Sequence, residues 1–116
     1  MTRLPTITRD ELHRKIQNGD AFVLVDALAP MSYARSHLPG AVNLPLEWVD
    51  ERAPRRIPDV GTEVVVYCVD AECDSSALLG ERLLELGYRN VLHYVEGKAD
   101  WLAAGLPLEG GVPSPG

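Results

Sequence analysis

The sequence lacks both an excess of positive charge and a long apolar run. It has 11 lysines and arginines against 17 aspartates and glutamates, a net charge of −6, and no basic run stands out. We therefore expect neither nucleic acid nor an anionic membrane as a partner. The apolar stretches also fall far short of the roughly 18 residues that a membrane-spanning helix needs, which excludes a membrane protein.

Cysteine is scarce, and the N-terminus has no apolar stretch of signal-peptide length. We therefore expect the protein to stay in the cytoplasm. Its two cysteines, Cys68 and Cys73, stand five positions apart. In a chain without an export signal, a structural disulfide between them is not expected, which leaves thiol chemistry or simple burial.

The rest of the composition is that of an ordinary globular domain. The 116 residues are 46% apolar and 24% charged, close to average usage, and they are too few to bury two separate cores. We predict one domain over residues 1–108. The last residues, 109–116, are rich in glycine and proline and should form a flexible tail.

Strand and helix patterns alternate along the domain. Thr8 and Glu11 form a capping-box pattern that predicts a first helix ending at Gly19. Pro54 should interrupt a weak helix in the middle of the chain. The further helices are predicted over 30–35, 47–56, 74–86 and 98–104, and the strands over 22–26, 41–44, 64–68 and 90–94. The alternation predicts a three-layer α/β fold, in which a parallel sheet carries helices on both faces.

The third predicted strand is rich in β-branched residues, carries no charge and ends at Cys68, so it should be the central strand. Ligands of such folds bind at the carboxyl ends of the strands. The loop after Cys68 leads into a helix N-terminus, whose unpaired N–H groups lower a thiol pKa and bind anions. This setting is typical of a nucleophilic cysteine, although a small buried residue at a strand end is the simpler interpretation of the position alone. The candidate anion-binding residues are Val69, Asp70, Ala71, Glu72, Cys73, Asp74 and Ser75.

Three separated segments resemble the rhodanese-like family of single-domain sulfurtransferases. Residues 23–26 with 33–45 resemble its N-terminal signature, 65–68 its catalytic strand, and 97–101 with 105–107 its C-terminal signature. The segments stand in the family's order, and the resemblance covers nearly the whole chain. It implies a three-layer α/β domain with a central, mostly parallel five-stranded sheet and helices on both faces.

The resemblance also implies a function. Cys68 would attack a sulfane sulfur, carry it as a persulfide and pass it to a thiol or another nucleophile, which is covalent catalysis. No metal and no organic cofactor is implied, and the histidines have no partners at metal-ligand spacing. The expected partners are a small sulfur donor and a protein persulfide or thiol acceptor, and the expected oligomeric state is a monomer or a weak homodimer.

Two departures from the family pattern concern charge. Cys73 stands where many members have an arginine, five positions after the cysteine, and Leu28 stands where the N-terminal signature usually has another. Asp70, Glu72 and Asp74 instead add three carboxylates. At about 8 Å, each costs an anionic ligand roughly 0.5 kcal/mol, so three weaken thiosulfate binding about tenfold. We expect a persulfide, or a neutral or cationic sulfur carrier, as donor rather than thiosulfate.

Two other functions stay open. The missing arginines and the acidic loop also fit a rhodanese-like binding or regulatory module with little turnover. Alternatively, Cys73 is a resolving thiol that attacks a Cys68 persulfide or sulfenate, which would make the pair a redox sensor. We expect Cys73 to be an unpaired loop thiol, because a spread loop holds the two Cα atoms beyond the roughly 7 Å reach of a disulfide. A phosphatase is excluded, since Asp74 stands where the phosphate-binding arginine is needed.

Four residues near these segments have expected structural roles. Asp74 should cap the helix that follows the loop. His37 should make structural hydrogen bonds, and Trp101 should pack in the core. Gly97 should permit a tight turn before the last helix.

Overall fold

The computed structural model describes residues 4–110, which fold around one parallel sheet. The strands are β1 (Val23–Asp26), β2 (Val42–Asn43), β3 (Glu63–Tyr67) and β4 (Asn90–Tyr94). The helices are α1 (Arg9–Asn18), α2 (Pro30–Arg35), α3 (Val49–Arg56), α4 (Ser75–Glu85) and α5 (Gly97–Ala103), and a 3-10 turn (Leu46–Trp48) precedes α3. The strand order is β2-β1-β3-β4, and every neighbouring pair is parallel.

The central strand, β3, divides its side chains between two apolar cores. Val64 and Val66 pack into the core that α3 and α4 cover. Val65 and Tyr67 pack into the opposite core, with Trp101 of α5 and residues of α1. All four strand residues are fully buried. The uncharged apolar run therefore forms a strand buried on both faces, and the predicted three-layer α/β fold is confirmed.

The sheet has four strands among the described residues, rather than the five expected. A fifth chain segment makes only one parallel bridge, between Thr6 and His93. The Ile7 N–H donates to the carbonyl of His93 (3.1 Å), and the His93 N–H donates to that of Pro5 (2.9 Å). This pairing cannot lengthen into a strand, because Pro5 has no N–H to donate and Thr8 already caps α1.

Helix α1 has the boundaries that the sequence predicts. The Thr8 side chain accepts the Glu11 N–H (3.2 Å), and the Glu11 carboxylate accepts the Thr8 N–H (3.0 Å). The capping box is therefore confirmed. Gly19 ends the helix in the left-handed conformation, with φ of 69°.

Helix α3 differs from its prediction, because Pro54 lies inside the helix without interrupting it. The proline ring removes one hydrogen bond of the helix. Val49 and Ala53 of the same helix are buried in the core beside α4, and this packing offsets the loss. The other predicted helices and strands are present, with small shifts at their ends.

The predicted tail is described as far as residue 110, and residues 111–116 lie outside the described part. The main chain of Glu109 pairs with His37 through two hydrogen bonds of 2.8 Å. The Glu109 carboxylate also accepts the Gly40 N–H (2.9 Å). Within residues 4–110, no helix combines the length and apolar character that crossing a membrane requires.

Candidate functional site

Cys68 directly follows β3, at the carboxyl edge of the sheet, and is 1% exposed. Its carbonyl accepts the Lys98 N–H (3.0 Å), and the Val69 carbonyl accepts the Ala99 N–H (2.8 Å). The start of α5 thus holds the main chain of the first two residues after β3. The position of the cysteine is set by the central strand on one side and by α5 on the other.

Gly97 makes this close approach possible. Its φ is 71°, and a Cβ atom there would lie 2.5 Å from the Cys68 carbonyl oxygen and 2.8 Å from the Val69 carbonyl carbon. Any side chain would push α5 away from the loop. The sequence predicts a tight turn at this glycine, and the structure adds that the turn touches the main chain of Cys68.

The structure joins Cys68 to Cys73 in a disulfide, with the two Cα atoms 6.3 Å apart. Two expectations are therefore wrong, namely that no disulfide links the cysteines and that Cys73 is an unpaired thiol. The loop is curled rather than spread, because Asp70 bonds back onto it. The Asp70 carboxylate accepts the N–H groups of Glu72 (3.1 Å) and Cys73 (3.2 Å), and the Asp70 carbonyl also accepts the Cys73 N–H (3.3 Å). This curl brings the Cα atoms within the roughly 7 Å reach of a disulfide.

The same hydrogen bonds occupy two of the N–H groups of residues 69–75, which are predicted to bind an anion and are here called the anion cradle. In this disulfide-bonded form, the Glu72 and Cys73 amides donate to Asp70. The cradle therefore stays a prediction for the reduced protein, in which Cys73 is free to move. Asp74 takes the N-cap position of α4, but its side chain makes no capping bond, so the predicted capping bond is wrong.

The far end of the loop is tied to the sheet through Ser76. The Ser76 hydroxyl lies 2.8 Å from Nε2 of His93, and both residues are buried. Burial lowers the pKa of His93 from its ordinary value, which keeps the ring neutral at neutral pH. From the sequence, His93 is only one of the histidines without partners at metal-ligand spacing. Its contact with Ser76 is not predicted, since nothing local relates β4 to the start of α4.

A buried polar network supports the neighbouring strand ends. The Tyr67 hydroxyl donates to the Asp26 carboxylate (2.7 Å) and accepts the Leu38 N–H (3.0 Å). The other Asp26 oxygen accepts the Leu28 N–H (2.8 Å). Burial raises the pKa of Asp26, although these hydrogen bonds oppose the shift. Leu28, which stands in place of an expected arginine, thus contributes its main chain to the order of this edge.

The charged side chains of the loop itself are acidic. Asp70 is half-buried, and Glu72 and Asp74 are exposed. Lys98 touches Cys68 with its main chain, but its ammonium group donates to the Ser36 carbonyl (3.0 Å). An anionic ligand at the loop therefore meets carboxylates and gains no hydrogen bond from this lysine.

An open cleft of about 370 Å³ lies beside the loop. Ser75 is the one predicted site residue that lines it, and Glu47 is the one charged residue among its lining residues. The other lining residues are not predicted from the sequence. These residues could be found from their position after the predicted strands, because residues that follow parallel strands lie at the same edge of the sheet. The lining residues that follow β1 and β2 are Ala27, Ala29, Pro45, Leu46 and Glu47.

A family model described as "Rhodanese-like domain" matches residues 8–104. The chain belongs to the rhodanese-like domain family. The solution structure of the rhodanese-like domain of the Alr3790 protein from Anabaena superposes on it with a TM-score of 0.83 and 25% identity, over 97% of this chain and 85% of that one.

Several curated relatives of this rhodanese-like domain carry functional names, among them the following two. It is 34% identical over 107 residues to the HTH-type transcriptional regulator Rv0324 of Mycobacterium tuberculosis, which covers 92% of this chain and 46% of the relative. It is 37% identical over 67 residues to the thiosulfate sulfurtransferase PspE of Escherichia coli, which covers 58% of this chain and 62% of the relative. The chain spans about half the length of the first curated relatives that it matches.

Two conspicuous residues of the rhodanese-like domain have structural contacts, as predicted. The Nδ1 atom of His37 lies 2.8 Å from the Tyr33 carbonyl oxygen, and the two rings stack 3.9 Å apart. Trp101 is fully buried against Tyr94, and its indole N–H donates to the Pro107 carbonyl (2.9 Å). Within residues 4–110, no three His, Cys, Asp or Glu side chains are placed to hold a metal ion together.

Proposed function

We propose that this rhodanese-like domain is a sulfurtransferase that carries a sulfane sulfur as a persulfide on Cys68. The observation that carries the proposal is the position of Cys68 at the carboxyl end of the central strand, between α5 and the start of α4. This is where α/β folds bind ligands, and a nearby helix N-terminus favours a thiolate. The printed name of the relative PspE, a thiosulfate sulfurtransferase, supports sulfur transfer.

The transfer consists of two displacements. The Cys68 thiolate attacks the sulfane sulfur of the donor, the rest of the donor leaves with the electron pair, and a persulfide remains on Cys68. An acceptor thiolate then takes the outer sulfur, and the Cys68 thiolate is the leaving group. Main-chain N–H groups of residues 69–75 stabilise the two anions at Cys68.

Reduction of the disulfide has to precede transfer, because a disulfide-bonded sulfur is not a nucleophile. The active form is therefore the reduced protein. In that form Cys73 no longer tethers the loop, and the Glu72 and Cys73 amides are free to turn from Asp70 toward Cys68. A reducing compartment, such as the predicted cytoplasm, favours this form.

A persulfide suits the site better than thiosulfate. Asp70 lies in the loop, Glu47 lines the neighbouring cleft, and Lys98 directs its charge elsewhere. A dianionic donor therefore approaches these carboxylates and gains no hydrogen bond from Lys98, and each carboxylate at about 8 Å weakens its binding roughly twofold. A protein persulfide, or a neutral or cationic small persulfide, avoids this cost.

The experiment that tests the proposal is intact mass spectrometry of reduced protein from which the reductant has been removed. Cys68→Ser and Cys73→Ser form a matched pair, because each exchanges one of the two thiols for a hydroxyl. Each variant is incubated with thiosulfate and, separately, with a small alkyl persulfide. We expect Cys73→Ser to gain the mass of one sulfur atom, faster from the persulfide, and Cys68→Ser to gain none. Equal gains in the two variants, or no gain in either, would overturn the proposal.

A regulatory module is the second candidate function. It is favoured by the name of the relative Rv0324, a transcriptional regulator of which this chain covers 46%. In that case Cys68 is a sensor rather than a carrier. Absence of sulfur loading with both donors, in variants that remain folded, would make this function the better one.

A further inference from the structure

We infer that Cys73 discharges the Cys68 persulfide within the same molecule and releases its outer sulfur as hydrosulfide. This inference rests on the proposed function, because it starts from the Cys68 persulfide. It gives the protein a second activity, the reductive release of sulfide. The substrates are a persulfide, as sulfur donor, and a dithiol reductant.

The loop itself brings the two cysteines into bonding contact. The disulfide joins residues only five positions apart, with Cα atoms 6.3 Å from each other. Asp70 holds the curl, because it accepts N–H groups from Glu72 and from Cys73 itself. Forming the Cys68–Cys73 bond therefore requires the loop alone, while β3 and α5 stay in contact through the Cys68 carbonyl.

The chemistry balances as a thiol–persulfide exchange. The Cys73 sulfur attacks the inner sulfur of the persulfide, which is the Sγ atom of Cys68. A bond forms between the two Sγ atoms, and the bond from Cys68 Sγ to the outer sulfur breaks. The outer sulfur leaves as HS⁻, with the electron pair of that bond and the proton of the Cys73 thiol. The sulfane sulfur thus gains two electrons, which the two cysteine sulfurs supply as they become a disulfide.

Proximity favours Cys73 over an external acceptor. A nucleophile held on a short loop competes at an effective concentration of millimolar or more, whereas a thiol in solution first has to bind. In the disulfide-bonded form, Cys68 is 1% exposed, whereas Cys73 is half-buried. Unless an acceptor is already bound beside Cys68, Cys73 therefore discharges the persulfide before an acceptor at micromolar concentration reaches it.

The difference in exposure also sets the direction of the regenerating step. A thiolate of the dithiol attacks the more exposed sulfur, that of Cys73, and the Cys68 thiolate leaves. The second thiol of the reductant then releases Cys73 and forms its own disulfide. One donor persulfide and one dithiol thus give one donor thiol, one hydrosulfide and one oxidised dithiol, and the protein returns to its reduced form.

A single-turnover experiment tests the inference. Reduced wild type, free of reductant, is mixed with one equivalent of a small alkyl persulfide, hydrosulfide is trapped with a bimane reagent, and the protein mass is followed. We expect about one hydrosulfide per wild-type chain, together with loss of two hydrogens from the protein mass. Cys73→Ser should keep the added sulfur and release hydrosulfide at least about tenfold more slowly. The first step also liberates one donor thiol, which can itself release hydrosulfide from a persulfide. Cys73→Ser measures this background release.

The outcomes separate the inference from the proposed function. If Cys73→Ser gains sulfur and wild type also keeps it without releasing hydrosulfide, the inference is overturned and the sulfurtransferase stands. Equal release rates in wild type and Cys73→Ser overturn the inference in the same way. If Cys73→Ser never gains sulfur while remaining folded by circular dichroism, the proposed function fails, and the inference fails with it.

Discussion

The two ends of the loop after β3 are held differently from the segment between them. At the start, the carbonyls of Cys68 and Val69 accept N–H groups from α5, and at the far end Ser76 contacts His93 of β4. Within residues 4–110, the hydrogen bonds of Asp70, Glu72 and Cys73 stay inside the loop. The ends are therefore positioned by the fold, and the middle by its own short-range bonds.

This difference separates the roles of the two cysteines. Cys68 belongs to the part that the sheet and α5 hold, so its position does not depend on the disulfide. Cys73 belongs to the part that bonds only to itself, so it can leave and return while the rest stays in place. A carrier thiol with a fixed position and a second thiol with a variable one fit the proposed transfer and release steps.

The largest effect should come from disrupting the contact between α5 and the start of the loop. Gly97→Ala places a Cβ atom 2.5 Å from the Cys68 carbonyl oxygen, and it also forces alanine to a φ of 71°. Gly19→Ala is the matched control, because its φ is 69° and nothing lies within 4 Å of the added atom. Urea unfolding should show a loss of about 1–2 kcal/mol for Gly19→Ala and roughly 2–5 kcal/mol for Gly97→Ala. Equal losses would mean that the contact between α5 and the loop contributes nothing.

A smaller effect should follow from loosening the middle of the loop. Asp70→Ala removes the carboxylate that accepts the Glu72 and Cys73 N–H groups. Because each of these two bonds contributes about 1 kcal/mol, the equilibrium with dithiothreitol should move by up to roughly thirtyfold toward the reduced protein.

Asp74→Ala controls for the lost charge in that measurement, since the Asp74 side chain makes no capping bond. It should leave the equilibrium nearly unchanged. A similar shift in both variants would show that charge, rather than the curl of the loop, stabilises the disulfide.

A still smaller effect is expected from the charge in the cleft, and it tests whether donors reach Cys68 along that cleft. Glu47→Gln removes the charge that lines it, and should raise kcat/KM for thiosulfate about twofold at low ionic strength. Glu51→Gln removes an exposed charge of α3 that does not line the cleft. The gain should vanish at high salt and be absent from the Glu51 variant. Identical kinetics in the two variants would place the donor's path elsewhere.

The smallest effect concerns the contact between Ser76 and His93 at the far end of the loop. Burial lowers the pKa of His93 below its ordinary 6.5, so the unfolded chain takes up a proton more readily than the folded one. The contribution of His93 to stability is therefore complete above about pH 6.5 and declines as the pH falls below that value.

Urea unfolding of wild type and His93→Gln between about pH 5 and pH 7.5 measures this contribution. The wild type should lose more stability toward acid than His93→Gln does, and His13→Gln, which leaves the Ser76 contact intact, should behave like wild type. A steeper acid loss in the His93 variant would contradict the assignment.

Much of the fold could be predicted from local patterns. The capping box of Thr8 and Glu11 bounds α1, because side chain and main chain bond within one helical turn. The uncharged run before Cys68 forms the central strand, because a continuous apolar run removes all its side chains from water only when both faces of the strand are buried. The expected fifth strand is reduced to one bridge, and no local pattern could predict this, since it depends on where Pro5 meets β4.

The candidate site also has features that follow from local sequence and features that follow from tertiary packing. By itself, the sequence determined that Cys68 ends a buried central strand and that an acidic loop follows, because strand burial and charge are properties of short segments. Only the tertiary structure decided the Cys68–Cys73 pairing, the approach of Gly97 to the Cys68 carbonyl and the cleft that Leu46 helps to line. These features join residues through the curl of one loop or across separate strands and helices, so their distances are set by packing and hydrogen bonding that no local pattern records.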